Sequence, residues 1–360
     1  MLYNFLYSLH EYYFPFNVFR YITFRTALAI ITSLLLTLFI GPWIIRRLKK
    51  ISMTQQIRDD GPETHVKKCG TPTMGGIMII ISIMVSALMW SDVMNIYIRI
   101  MIIALLGFGS IGLFDDYLKT ARRDSKGLRA CYKFGGQIAL ALVIGFIIYK
   151  NPNDPYYSHL SVPFFKKMLI NLGWFYIPFA ILVIVGSSNA VNLTDGIDGL
   201  AIGLVGIAII ANMILVYISG HAGFADYLQV LHLKETGELT VFCGAMLGAS
   251  LGFLWFNSYP ADVFMGDVGS LSLGGALGTL AVITKHEITL AVVGGIFVVE
   301  TLSVVFQVAS FKLTGRRIFK MAPIHHHFEL KGWHESKVIV RFWIVGIMLA
   351  LLSLATLKLR

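Results

Sequence analysis

Charge is what this chain has least of. Of its 360 residues only 14% are Asp, Glu, Lys or Arg, against roughly a quarter in an ordinary soluble domain. So few charges could not coat the surface of a soluble enzyme of this size. Proline is scarce at 10 and cysteine scarcer at 3. Cys69, Cys131 and Cys243 are widely spaced and form no C-x-x-C pair, which argues against a disulfide framework and a cysteine zinc site. No Walker A motif occurs, so a P-loop ATPase is not supported. The stretch from Met1 to Val18 has no positive residues ahead of its apolar ones, and no cleavable signal peptide is expected.

What the chain has is apolar bulk: 56% hydrophobic residues, with 34 glycines. A spanning helix needs about 20 mostly apolar residues. Ten such runs are expected, over 22–44, 73–91, 97–114, 133–149, 170–187, 199–218, 238–256, 268–284, 288–310 and 339–357. The fold class expected is all-α: a polytopic membrane protein of about ten transmembrane helices, forming one integral membrane domain over 1–360. Gly-rich stretches such as Gly274 to Gly278 suit close helix packing in lipid.

The formal net charge is +10. On a soluble protein that would suggest nucleic acid; here the placement of the charges points to the bilayer instead. Seven Lys and Arg lie in 45–72, six in 115–133 and seven in 311–341, all on one side of a ten-span topology. The opposite loops hold Arg99, Lys150, Lys166, Lys167, Lys234 and Lys285. By the positive-inside rule the rich side is cytoplasmic, and both termini are expected outside, in the periplasm. Anchoring to anionic headgroups accounts for most of the basic excess.

Four polar constellations fall on that same cytoplasmic side. Asp115 and Asp116 end the third run. Asp195 and Asp198 lie in a Gly-rich link between the fifth and sixth, on one face if that link is helical. Asp267 opens the eighth. His325, His326 and His327 sit in the last cytoplasmic loop. Each has a bland reading: a solvated helix end, an N-cap or first-turn acid, a solvated loop. The histidines lack H-x-x-x-H spacing and suit an anion better than a metal. Together, several carboxylates flanked by basic loops suit Mg²⁺ and phosphates. Mg²⁺ takes one or two carboxylates and completes its shell with water and phosphate oxygens.

Five motifs carry a family resemblance: Lys68 to Gly76 (KCGTPTMGG), Gly112 to Tyr117 (GLFDDY), Asn189 to Gly199 (NAVNLTDGIDG), Phe264 to Ser270 (FMGDVGS) and Ala322 to Glu329 (APIHHHFE). The sequence resembles, over its full length, the phospho-N-acetylmuramoyl-pentapeptide transferases, a branch of the polyprenyl-phosphate N-acetylhexosamine-1-phosphate transferases. The last motif is the branch-specific one. The resemblance implies Mg²⁺-dependent transfer from UDP-N-acetylmuramoyl-pentapeptide to undecaprenyl phosphate, giving lipid I and UMP. It implies work at the bacterial inner membrane, with the active-site cleft facing the cytoplasm.

Residue by residue, the resemblance makes Asp267 the Mg²⁺ ligand and Asp115 and Asp116 the catalytic pair. Either acid could deprotonate the lipid phosphate or form a phospho-aspartyl intermediate. Asn192, Asp195 and Asp198 are expected to line the donor site. Phe264 and Asn257 are expected to hold the uracil, with Lys68, Thr73 and Gln307 as further donor contacts. His326 and His327 are expected to bind phosphate or sugar, and His325 belongs to the same set. Lys133 is expected to attract the lipid phosphate, its alternative being a snorkelling interface lysine. The resemblance also brings a homodimer, nucleoside antibiotics and a phage lysis protein among the expected partners, and no nucleic acid.

Two rivals stay open. One is a sister enzyme using UDP-N-acetylglucosamine, against which the APIHHHFE motif argues. The other is a transporter or channel, since intramembrane acids often mark ion paths. Against it, the acids lie at one face, and Asn212, Gln137 and Gln307 are too few to line a path.

Overall fold

The computed structural model describes residues 2–51, 70–122, 127–151, 154–163, 165 and 168–358. Within these, helices follow one another almost without interruption: α1 Leu2–Ser8, α2 Ile22–Lys50, α3 Gly76–Trp90, α4 Ile96–Arg122, α5 Ala130–Tyr149, α6 Tyr176–Thr194, α7 Leu200–Gly220, α8 Ala222–Leu228, α9 Leu239–Asn257, α10 Gly266–Thr284, α11 Glu287–Val293, α12 Gly295–Thr314, α13 Ile324–Glu329 and α14 Glu335–Ala355. Strands His159–Ser161 and Leu169–Asn171 pair antiparallel between α5 and α6. In a bilayer no water is present to satisfy the backbone, so apolar runs of this length have little choice but to become helices.

Nine of the helices are long and apolar enough to cross a membrane, and α3, with 15 residues, is a shorter apolar one. The fold is therefore the all-α, multi-spanning membrane bundle that composition predicts. Its centre is α10, where 89% of the apolar stretch is buried, against 28% for α5 and 22% for α12. Small residues explain this. Seventeen consecutive residues of α10, Val268 to Thr284, are buried, six of them Gly or Ala. Neighbours thus approach α10 at backbone distance, as packing without a hydrophobic driving force requires. The same device joins α9 to α2, where a methyl group added at Gly248 would collide with the Ile30 carbonyl and the Ser33 hydroxyl.

Three boundaries differ from expectation, and each difference bears on the site. The run expected at 97–114 continues as helix to Arg122. Asp115 and Asp116 therefore lie inside α4 and not at its C-terminus, so their cost is not set by the helix dipole. The run expected at 288–310 is two helices, α11 and α12, divided at Gly294. All the buried residues of α12 fall between Ile296 and Ser303, and Val305, Phe306, Val308, Phe311 and Leu313 are exposed. The 195–199 link is a turn, not a helix, and Gly199 in the left-handed region (φ 76°) starts α7. Asp195 and Asp198 accordingly do not share a helical face.

Candidate active site

The C-terminal part of α4, the first turns of α5 and α10 and the last turn of α6 meet at one end of the bundle. They bring three carboxylates and two ammonium groups into direct contact. The Lys133 Nζ lies 2.6 Å from Asp267 Oδ2 and 3.1 Å from Asp115 Oδ2. The Lys119 Nζ lies 2.8 Å from the same Asp267 oxygen, 2.9 Å from Asp115 Oδ2 and 3.6 Å from Asp116 Oδ1. The Asn192 amide donates to Asp267 Oδ1 at 2.6 Å and to the Ser270 hydroxyl at 2.8 Å. Both Asp267 oxygens are thus engaged, one by an amide and one by two cations.

The two adjacent acids are not equivalent. Asp115 accepts from the Leu128 amide at 2.7 Å as well as from both lysines. Asp116 accepts from the Val268 amide at 3.2 Å, at the N-terminus of α10, and Lys119 stands further off. Backbone amides at a helix start favour negative charge. The turn that delivers them depends on Gly266, whose φ is +71°. A side chain there would meet Asp116 Oδ2 at 2.5 Å and Thr73 Oγ1 at 3.0 Å. Thr73 is thereby placed beside the carboxylates. Its segment is held by Phe264, whose amide donates to the Pro72 carbonyl and whose carbonyl accepts from Gly75.

Asp195 lies next to this knot. Desolvation, and then the carboxylates of Asp267, Asp116 and Asp198, push its carboxyl up to about 8, with a hydrogen bond from Gly266 acting the other way. Asp198 is anchored differently: its carboxylate accepts from the Ala261 amide at 3.1 Å and its own amide donates to Glu335 at 2.9 Å. Asn257 is buried between the same segments, accepting from Gly199 at 3.0 Å and donating to the Val263 carbonyl at 2.9 Å. Half-buried Phe264 follows Val263 directly in the chain.

The remaining expected residues fall into a third group. Gln307 clamps the 318–319 backbone, accepting from Ile318 and Phe319 and donating to the Phe319 carbonyl. The three histidines lie on the short helix α13 and face three different partners. His325 is buried against Glu300 at 3.1 Å, His326 pairs with Glu329 at 2.7 Å, and His327 accepts from the Lys320 amide at 3.1 Å. Desolvation, Lys331 and Lys320 hold the His327 imidazole below its usual range. Lys68 lies outside the described residues.

Lys119 joins the knot although the sequence marks it only as one of the topogenic charges. Its signal was legible: it stands four residues after Asp115 and three after Asp116, the spacing at which opposite charges meet on a helix. Within the knot three carboxylates face two ammonium groups, so one negative charge is unmatched. That excess, on hard oxygen donors, fits a divalent cation. Among the described residues no group of three His, Cys, Asp or Glu gathers as a closed protein cage would, and Mg²⁺ asks for no such cage.

A helical membrane bundle with carboxylates and lysines gathered at one end suits a membrane transferase, and similarity to known proteins places the chain in that class. Residues 98–285 match the model for Glycosyl transferase family 4. Residues 68–80 match signature 1 of the phospho-N-acetylmuramoyl-pentapeptide-transferases. Proteins of that name match from end to end, covering 100% of both chains. The one from Thermodesulfovibrio yellowstonii is 69% identical, that from Citrifermentans bemidjiense 55% and that from Syntrophus aciditrophicus 54%. The chain belongs to the phospho-N-acetylmuramoyl-pentapeptide-transferase family, which decides between the readings that the sequence left open.

Proposed function

We propose that the chain transfers phospho-N-acetylmuramoyl-pentapeptide from its UDP donor to undecaprenyl phosphate, giving lipid I and UMP, the first membrane step of peptidoglycan synthesis. The site faces the cytoplasm from the bacterial inner membrane, with both termini in the periplasm. The observation that carries this reading is the knot of Asp115, Asp116, Asp267, Lys119 and Lys133 at one end of a membrane bundle. A soluble nucleotide and a lipid phosphate can meet there and nowhere deeper.

A phosphate oxygen of the lipid attacks the donor's β-phosphorus. The bond from that phosphorus to the bridging oxygen breaks, and UMP departs with the oxygen. Such a transfer asks for positioning and charge neutralisation more than for covalent help. Lys133, at the start of α5, binds the lipid phosphate, and Lys119 holds the donor diphosphate. Asp115 is tied to both lysines and sets their places. Asp116 has fewer partners and takes the proton from the lipid phosphate. Asp267 is the residue that would hold Mg²⁺, which supplies further neutralisation of diphosphate charge. Asp195, Asp198, Asn192, Thr73 and Phe264 line the donor side. Nucleoside antibiotics and a phage lysis protein are proposed to target the same chain, and a homodimer is its proposed state.

The test is UMP release by purified protein in detergent with undecaprenyl phosphate, offering UDP-N-acetylmuramoyl-pentapeptide and UDP-N-acetylglucosamine in parallel. Release with the muramoyl donor alone, abolished by EDTA, is expected. Release with the glucosamine donor, or undiminished release in EDTA, would contradict the reading of donor or metal.

A further inference from the structure

One buried pair lies beside the knot and has no part in the transfer described above. Glu300 is on α12 and His325 on α13, and both side chains are wholly buried. The Glu300 Oε2 is 3.1 Å from His325 Nδ1. Its Oε1 and the His325 Nε2 have no hydrogen-bond partner among the described residues. The ring is not merely packed away. Its Nε2 edge lies against Gly196, so closely that a methyl group there would overlap Nε2 itself. Gly196 is the residue between Asp195 and Asp198 in the turn that joins α6 to α7.

A buried donor or acceptor without a partner is rare in folded proteins and calls for an explanation. A carboxylate only accepts, so in the proposed arrangement the Nδ1–H of His325 donates to Glu300 Oε2, which sets both the tautomer and the orientation of the ring. The neutral ring then presents the Nε2 lone pair to the turn. This is the arrangement by which a second carboxylate orients a working histidine in many sites.

We propose that Glu300 is a positioning residue for the transfer: through His325 it holds the acceptor Nε2 against Gly196 and so fixes the Asp195–Asp198 turn on which the nucleotide sugar is bound. The inference rests on reading that turn as part of the donor site. It also gives α12 a role. The buried residues of the helix all fall between Ile296 and Ser303, and Glu300 is the ionisable residue in that stretch. The specificity for the donor is thus set in part by how α12 docks.

Two measurements test it. The first does not depend on turnover. The chain has ten histidines, and ¹⁵N-histidine labelling, with His325 identified by the signal lost in His325→Asn, is expected to show His325 neutral and protonated on Nδ1. In Glu300→Gln that signature is expected to shift toward the Nε2-protonated form, because a glutamine can donate to Nδ1. An Nε2-protonated ring in the parent protein would overturn the proposal, whether or not the substrate assignment holds.

The second is steady-state UMP release. Glu300→Gln and His325→Asn are each expected to raise KM for the UDP donor about tenfold, leaving KM for undecaprenyl phosphate unchanged. The double variant is expected to lose no more than either single one. An unchanged donor KM in a folded Glu300→Gln protein, or losses that multiply in the double variant, would reduce the pair to packing. If Glu300→Gln fails to fold, the tautomer in the parent protein decides. Absence of any UMP release with the expected tautomer present would fault the donor reading and not the dyad.

Discussion

The two ends of the bundle both bury charge, and they do so differently. At the end opposite the site, Arg25 on α2 forks onto the Glu238 carboxylate, with contacts of 2.5 and 2.8 Å. It also donates to the Trp90 carbonyl, and Tyr3 lies 4.0 Å beneath the guanidinium. Nearby, wholly buried Lys285 donates to the Tyr176 hydroxyl at 3.0 Å, faces Asp154 at 3.7 Å, and shares Tyr176 with Glu287. There three acids are divided between two cations at separate places, and the geometry joins helix ends. At the site end the same residue types converge on one point. Three carboxylates crowd two lysines, two cations converge on one Asp267 oxygen, and a fourth acid, Asp195, is pushed up to about 8. Charge divided between separate pairs at one end holds helices together; charge converged on one point at the other is a demand for something bound.

The largest effect expected at the site end is on turnover. Asp267→Asn is predicted to lower UMP release by about 10²- to 10³-fold while leaving the thermal unfolding midpoint near that of the parent. Loss of folding together with activity would erase the contrast between the two ends. The largest effect expected at the far end is on stability. Arg25→Met strands the Glu238 carboxylate and is predicted to cost about 3–5 kcal/mol, read by thermal unfolding in detergent, with turnover per folded molecule unchanged.

Smaller changes sharpen the comparison. Lys119→Met is predicted to cut UMP release by about ten- to a hundredfold, with little change in midpoint, because neighbouring carboxylates keep Lys133. Glu287 gives a test in pH. Burial pushes its carboxyl up to about 7, with Lys285 and the Tyr176 hydroxyl acting the other way. A folded-state value above the unfolded one of 4.5 means that the folded protein binds more protons in between. Stability is therefore predicted to fall as pH rises from about 4.5 to 7. Glu287→Gln is predicted to flatten that slope in unfolding measured across this range.

Much of this was legible in the sequence, for reasons that differ between fold and site. Ten apolar runs and their Gly-rich texture carry the bundle, because a bilayer leaves helices as nearly the sole solution. The expected gathering of Asp115, Asp116, Asp267 and Lys133 needed only that helix ends on one side meet. The finer placements were not legible. Asp115 and Asp116 sit inside a helix that continues past the apolar run, and hydropathy is blind to its polar last two turns. The break at Gly294 lies within a continuous apolar stretch. The pairing of Glu300 with His325 spans 25 residues and depends on α13, a helix of six residues that no periodicity announces. Glu335, which holds the Asp198 amide, likewise comes from a distant helix start.

The central claim is that the excess carboxylate charge of the knot suits a divalent cation, with Asp267 the residue that would hold it. The most direct measurement is the shift in unfolding midpoint when Mg²⁺ is added to the purified chain, parent and Asp267→Asn side by side. A ligand that binds only the folded state raises the midpoint. The account predicts a concentration-dependent rise for the parent and none for the variant. An equal rise in both would contradict it.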